Sequence, residues 1–302
     1  MPDAARALFA HPLWDRLRAV LDAASGRGPL AVAFSGGLDS RFLAHAAQGC
    51  GQAPLLVHMT GPHITPAESA WARHWAHSRK LKLLVLEGNP LDLPEVAAGD
   101  KDRCYHCKRL VFSAIRQHLA PGAVLCDGTN HSDLETYRPG LRAVRELDIR
   151  SPLAEAGLTK ALIHELAGLT GLDRPNQRPR PCLLTRFAYG LRPSRDLLRR
   201  LAEAEVAVAD LLRPETHPAS VPATDAAAGF THEDALPDFR LRLPRPHTLE
   251  LHCAGLIPPL LHERIRDAVA ALGLPRPDIV HLPALSGYFD AHDQAETARG
   301  LA

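Results

Sequence analysis

Short apolar runs alternate with longer amphipathic stretches over the first half of the chain. Residues 30–34 (LAVAF), 55–59 (LLVHM), 83–86 (LLVL) and 123–126 (AVLC) are continuous, rich in Val and Leu, and bounded by turn formers. Such runs mark strands buried on both faces. Between them, residues 40–48, 66–80 and 103–119 have helical length and spacing. The alternation predicts an α/β fold built on a doubly wound parallel sheet.

The pattern changes at residues 171–193, GLDRPNQRPRPCLLTRFAYGLRP, where proline and arginine suppress regular structure. This stretch reads as a long functional loop that also joins domains. Beyond it come a helix at 194–212, a polar, proline-broken segment to 237, strands at 239–243 and 248–252, a helix at 258–272 and a strand at 278–282. The expected division is residues 1–190 and a smaller C-terminal α+β domain at 191–302.

Composition narrows the function classes. The 302 residues carry a formal net charge of +1 and are 46% hydrophobic, enough for real cores in two domains. Near-neutral charge argues against nucleic acid as a partner. No eighteen apolar residues run together and the first twenty lack a signal-peptide core, so no membrane association is expected and the protein reads as cytoplasmic. Six cysteines are too few for a disulfide scaffold, and in a reducing compartment a close pair serves metal or redox chemistry.

Three stretches carry candidate chemistry. In AVAFSGGLDS, residues 31–40, glycines follow a strand and precede a helix. They let the backbone turn toward an anion while Ser35, Ser40 and the first helical amides donate to it, and Asp39 could hold a Mg2+ ion. The spacing is neither that of a P-loop nor G-x-G-x-x-G. In DKDRCYHCK, Cys104 and Cys107 open a helix, where the positive end of the dipole favours thiolates suited to a metal or a redox pair. Cys182 lies among Arg178, Arg180 and Arg186, the setting of a reactive thiol near an anionic substrate, whereas Cys50, Cys126 and Cys253 sit by apolar runs as core residues. In CDGTN, residues 127–130 end a strand at the sheet edge where such folds bind ligands, with Asp133, Tyr137 and Arg138 following.

Together and in this order, SGGLDS, DRCYHCK, DGTN with Asp133 and YRPG, RSPL and PCLLTRFAYG resemble the LarE family of the adenine nucleotide α-hydrolase (PP-loop, HUP-like) superfamily. The resemblance covers residues 10–210. It implies an ATP-dependent sulfur transferase that adenylates a carboxylate of pyridinium-3,5-biscarboxylic acid mononucleotide and converts it to a thiocarboxylate, in nickel-pincer nucleotide cofactor biosynthesis. It also implies a homo-oligomer. Carried over, ATP and its pyrophosphate would be bound by Ser35, Gly36, Gly37, Asp39, Ser40, Gly128, Thr129 and Asn130 of the N-terminal ATP pyrophosphatase domain. The substrate would meet Arg138, Thr185, Arg186, Glu205, Arg240 and Arg242, with the C-terminal domain serving substrate binding and oligomerisation.

The family uses two sulfur chemistries. Cys104, Cys107 and Cys182 could hold a 4Fe-4S cluster whose iron without a protein ligand carries sulfide, the route favoured by the presence of all three thiols. Alternatively Cys182 alone attacks and gives up its own sulfur in a single turnover. A relative acting on another carboxylate, or on tRNA, is the other alternative. Thr185 replaces the family's usual serine, and the stretch DIVHLPALSGYFDA departs from the expected C-terminal pattern. Arg240 and Arg242 alternate on a predicted strand and so share one face, suiting a phosphate clamp.

Overall fold

The computed structural model describes residues 12–136, 138–213 and 237–290. The described residues fall into two units, one within 1–96 and 102–180, the other within 97–101 and 181–302.

The first unit is an α/β layer structure on a four-stranded, all-parallel sheet. Its strands are β1 (Leu30–Ala33), β2 (Leu55–Thr60), β3 (Leu83–Glu87) and β4 (Val124–Cys126), in the order β3-β2-β1-β4. Ala31 pairs with Leu55 on one side and Leu125 on the other. Parallel neighbours require crossovers, supplied by α2 (Leu38–Gly49), α3 (Pro66–Ser78) and α4 (Arg103–Gln117). Helix α1 (Pro12–Ser25) precedes the sheet and buries Trp14, Leu17, Leu21 and Ala24 along one stripe. Against β1, β2 and β4, the side chains of Ala31, Val57 and Leu125 pack with Phe112 and Ile115 of α4 and with Leu141 and Val144 of α5 (Gly140–Glu146). Edge strand β3 leaves Leu83, Leu84 and Val85 half-buried, since only one side has a partner. The unit ends on α6 (Lys160–Leu169), capped by the Thr159 hydroxyl.

The second unit holds a separate mixed sheet in the order β5-β6-β7. Strands β5 (Asp238–Arg245) and β6 (Thr248–Ala254) form an antiparallel hairpin, and β7 (Asp278–His281) runs parallel to β6 after the crossover helix α8 (Pro259–Ala271). Helix α7 (Arg195–Leu212), capped by Ser194, buries Leu198, Leu201, Ala204 and Val208 at helical spacing. The expected α/β and α+β layers are thus both present. Most of the polar segment expected at 213–237 lies outside the described residues. No described helix is long and apolar enough to cross a membrane.

Candidate active site

Strand β4 lies beside β1 but on the side away from β2, so chain direction across the sheet reverses between β1 and β4. The crevice beyond their carboxyl ends is where open α/β sheets bind ligands. Two loops meet there. In the first, Gly36 adopts φ 78°, a conformation that favours glycine, and a Cβ on it would stand 3.2 Å from Ala72 Cβ. Trp71 Nε1 donates to the Gly36 carbonyl at 3.1 Å. Ser35 Oγ accepts from Gly37 N at 3.2 Å and lies 3.1 Å from Ser40 Oγ, which donates to the Gly37 carbonyl. These bonds preform the turn, and α2 starts directly behind it with Asp39 in its first turn.

The second loop follows β4. A Cβ on Gly128 would be 3.0 Å from Ser40 N, so only glycine lets the two backbones approach this closely. Asp127 accepts from Thr129 N (3.1 Å), Thr129 Oγ1 (2.6 Å) and Ser151 Oγ (2.7 Å). Asn130 and Asp133 cap one another reciprocally, and Asn130 Nδ2 reaches Asp39 Oδ2 at 3.4 Å. Arg138, exposed, pairs with Asp133 at 2.7 Å. Tyr137 lies outside the described residues. Of the expected ATP ligands, Ser35, Gly36, Gly37, Asp39, Ser40, Gly128, Thr129 and Asn130 therefore converge on one crevice, although the Thr129 hydroxyl is engaged by Asp127.

One residue here escapes the sequence reading. Lys160, first in α6, places Nζ 2.6 Å from Asp39 Oδ1. The available signal was a lysine just after the helix-capping Thr159, against the helix dipole.

Behind the loop, Arg41 is fully buried and ties the start of α2 to residues 173–177. It donates to the Asp173 carbonyl (2.7 Å) and carboxylate (3.2 Å), and to Gln177 Oε1 (2.6 Å). Burial pulls its pKa down to about 10, so it stays charged at neutral pH. Asp173 also accepts from Trp75 Nε1 (2.8 Å) and Arg79 (3.0 Å). Its carboxyl titrates below the ordinary range: burial opposes this, and the Arg41 charge and these donors overcome it.

Cys104 and Cys107 occupy the first turns of α4, half-buried and one turn apart, so they share a face. Their neighbours fix that end of the helix. Tyr105 donates to Glu146 at 2.6 Å under the Arg142 guanidinium, and Lys108 Nζ stands 3.7 Å from Asp127. Among the described residues no group of three or more His, Cys, Asp or Glu side chains is arranged to hold a metal ion. Cys126 and Cys253 are core residues, as expected; burial pushes the Cys126 thiol up to about 12 and raises that of Cys253. Cys50 is half-buried, its thiol also raised chiefly by burial.

In the second unit, half-buried Cys182 immediately precedes a 3-10 turn, Leu183–Arg186. Thr185 Oγ1 donates to the Cys182 carbonyl at 2.8 Å, and Arg186 Nη1 donates to the Pro181 carbonyl at 3.2 Å. The rest of Arg186 forms a two-pronged pair with Glu205 of α7 (2.8 and 3.0 Å), and Glu205 also accepts from Leu241 N of β5 at 3.0 Å. Glu205 thereby joins the cysteine turn, α7 and the small sheet. Arg240 and Arg242 share a face of β5 as the alternation predicts, but both are only 3% exposed. Arg242 donates to His252 Nδ1 at 2.8 Å and to the Leu285 carbonyl, and lies over the Tyr288 ring. Because arginine only donates, His252 Nδ1 must accept, which assigns the proton to Nε2, 2.6 Å from Glu250 Oε2. Burial, then Arg240 and Arg186, lower the Arg242 pKa to about 10. Thr185, Arg186, Glu205, Arg240 and Arg242 therefore lie in one unit, and Arg138 in the other.

A parallel sheet with glycine turns and polar helix starts at its switch point defines an α/β protein whose loops meet where open sheets of this kind bind ligands. No protein-family model matches the chain. It is 32% identical over 182 residues to an uncharacterized protein of Synechocystis sp., covering 58% of this chain and 66% of that protein. To an uncharacterized protein of Methanocaldococcus jannaschii it is 31% identical over 182 residues, 58% of this chain and 67% of that one. To the pyridinium-3,5-bisthiocarboxylic acid mononucleotide synthase of Lactiplantibacillus plantarum it is 28% identical over 180 residues, 58% of this chain and 64% of the synthase. The chain thus spans about two thirds of the length of these curated relatives. It belongs to the LarE-like family that they form.

Proposed function

We propose that this protein is an ATP-dependent sulfur transferase acting on a carboxylate of pyridinium-3,5-biscarboxylic acid mononucleotide, in nickel-pincer nucleotide cofactor biosynthesis. The reading is carried by the meeting of the 35–40 and 127–130 loops around Asp39, in a chain homologous to the bacterial synthase. A substrate carboxylate oxygen attacks the α-phosphorus of ATP, the bond to pyrophosphate breaks, and an acyl adenylate forms. The loop amides and the α2 N-terminus stabilise the charge gathering on pyrophosphate. Asp39 supplies a carboxylate for Mg2+, which would offset that charge. Sulfur then attacks the acyl carbon, expelling AMP and leaving a thiocarboxylate.

The sulfur-handling residues are Cys104, Cys107 and Cys182. Cys104 and Cys107, one turn apart on one helix face, would supply two thiolate ligands of a 4Fe-4S cluster and Cys182 a third, and the iron left without a protein ligand would supply transferable sulfide. A second route uses Cys182 alone, and its half-exposed position on a turn braced by Thr185 and Arg186 supports it. The residues of 1–190 carry adenylation, and those of 191–302 bind the substrate phosphate and assemble a homo-oligomer. The reaction belongs in the reducing cytoplasm, where thiolates persist.

The test is anaerobic incubation with MgATP, the dicarboxylate mononucleotide and sulfide, followed by mass analysis of small molecule and protein. Thiocarboxylate formed by wild type and absent with Cys182→Ala supports the reading. An intact Cys182 after many turnovers favours the cluster route, and its loss as dehydroalanine favours the single-cysteine route. No thiocarboxylate from wild type with a reconstituted cluster refutes the reading.

A further inference from the structure

Arg242 is a buried cation held by neutral partners. Its Nη1 donates to His252 Nδ1 at 2.8 Å and its Nη2 to the Leu285 carbonyl, while Nε is buried with no hydrogen-bond partner. Among the described residues no acidic side chain forms an ion pair with it: Glu205 is taken by Arg186, Glu250 by His252, and Asp238 lies 3.7 Å from Arg240. The nearby Arg240 and Arg186 charges add to the cost of burying it. A guanidinium in this position lacks an anion, and phosphate oxygens match its fork. What stands over it instead is the chain's own C-terminal stretch. The Tyr288 and Phe289 rings lie 4.9 and 5.7 Å from the guanidinium carbon, and Tyr288 meets His252 edge-on at 4.3 Å. Leu285 is buried, but Pro283, Ala284, Ser286 and Gly287 around it are exposed, and Gly287 turns the chain at φ 66°. A cover anchored at so few points can lift without unfolding the sheet beneath it.

We propose that residues 285–289 are an aromatic cover that determines specificity: closed, it occupies Arg242 with the Leu285 carbonyl and two rings, and it yields Arg242 only to a ligand that brings a phosphate dianion. This role rests on the reading that the 191–302 part binds the substrate phosphate. A phosphate makes charge-assisted bonds stronger than the one to a neutral carbonyl, and it also gives Nε the acceptor that the closed arrangement denies it. A nucleoside without phosphate offers nothing in exchange for the lost ring contacts, so the cover stays down. The closed state thereby lowers the apparent affinity of every phosphorylated ligand by the fraction of molecules that are open.

Limited chymotrypsin cleavage of the full chain, located by mass, reads the cover directly, since that protease cuts after Tyr288 and Phe289 only when they are lifted. The dicarboxylate mononucleotide should speed cleavage there, and the corresponding nucleoside should not. Calorimetry gives the energetic side. Tyr288→Ala removes a ring from a desolvated guanidinium and should bind the mononucleotide about tenfold more tightly than wild type, with nucleoside affinity unchanged. Tyr288→Phe keeps the ring and should match wild type, and adding Arg242→Met to Tyr288→Ala should abolish the gain. Cleavage after Tyr288 and Phe289 that is slowed or unaltered by bound mononucleotide overturns the role, as does weaker mononucleotide binding by Tyr288→Ala. If wild type prefers mononucleotide to nucleoside while cleavage stays unaltered, only the cover fails. If wild type binds the two equally, the phosphate reading fails and the cover with it.

Discussion

Removing the Glu205 carboxylate should loosen the cysteine turn and the small sheet together. Glu205 takes two bonds from Arg186 and one from Leu241 N, and the paired side chains are only 16% and 8% exposed. Glu205→Ala takes the Glu205 carboxylate away from a buried guanidinium, at a cost of about 3–5 kcal/mol, with an orphaned N–H as a smaller, non-additive addition. For a domain of this size, about 4 °C per kcal/mol converts this to a melting-temperature drop of roughly 12–20 °C. Glu205→Gln keeps an acceptor and loses the charge, so its drop should be roughly half as large. Calorimetric melts of the full chain measure both, and the rate of Cys182 labelling by a thiol reagent reports the turn, which should open first. Adding Arg186→Met to Glu205→Ala removes the stranded charge and should recover part of the loss. A Glu205→Ala protein within about 1 kcal/mol of wild type, or a double variant no more stable than the single, would refute this reasoning.

Three further expectations come from the first unit. His63 is 3% exposed with an unpartnered Nδ1, and burial, helped by His58, pushes its pKa down to about 4. Unfolded histidine binds its proton near 6.5, so between pH 6.5 and 4 the unfolded state holds more protons; stability is full above 6.5 and falls by up to about 3 kcal/mol toward pH 4. Melts across that range should show a shallower loss for His63→Leu, and an unchanged slope contradicts the assignment. Arg41→Lys keeps the charge but not the fork that reaches Asp173 and Gln177, and should destabilise by about 2 kcal/mol or more; a melt within experimental error of wild type contradicts it. Gly36→Ala places a Cβ at φ 78° against Ala72, which costs about 1–2 kcal/mol. MgATP affinity should then fall about tenfold or more, and unchanged affinity would show that the turn does not contact the ligand.

The first unit was legible because its signal is local. Buried parallel strands read as unbroken apolar runs, so the strands near 30, 55, 83 and 123 and the helices between them appear within a few residues of their observed ends. The order β3-β2-β1-β4 was not legible, since nothing in an apolar run says which neighbour it will pair with. The glycine loops were legible for the same local reason. Contacts between distant residues were not: Lys160 meets Asp39 across 121 positions, and Arg41 meets Asp173 across 132. Alternation predicts that Arg240 and Arg242 share a face, yet the buried Arg242 packs against Tyr288 and His252, whose role no spacing rule announces. His252 is a fully buried acceptor for an arginine, a partnership across ten positions that no local pattern announces.

The central claim is that Asp39 and its loops activate a carboxylate with ATP before any sulfur chemistry begins. Carboxylate-dependent exchange of labelled pyrophosphate into ATP measures that step alone. The account predicts exchange that requires the dicarboxylate mononucleotide, persists in Cys182→Ala and disappears in Asp39→Ala. Exchange that needs no carboxylate, or that is lost with Cys182 and kept without Asp39, would contradict it.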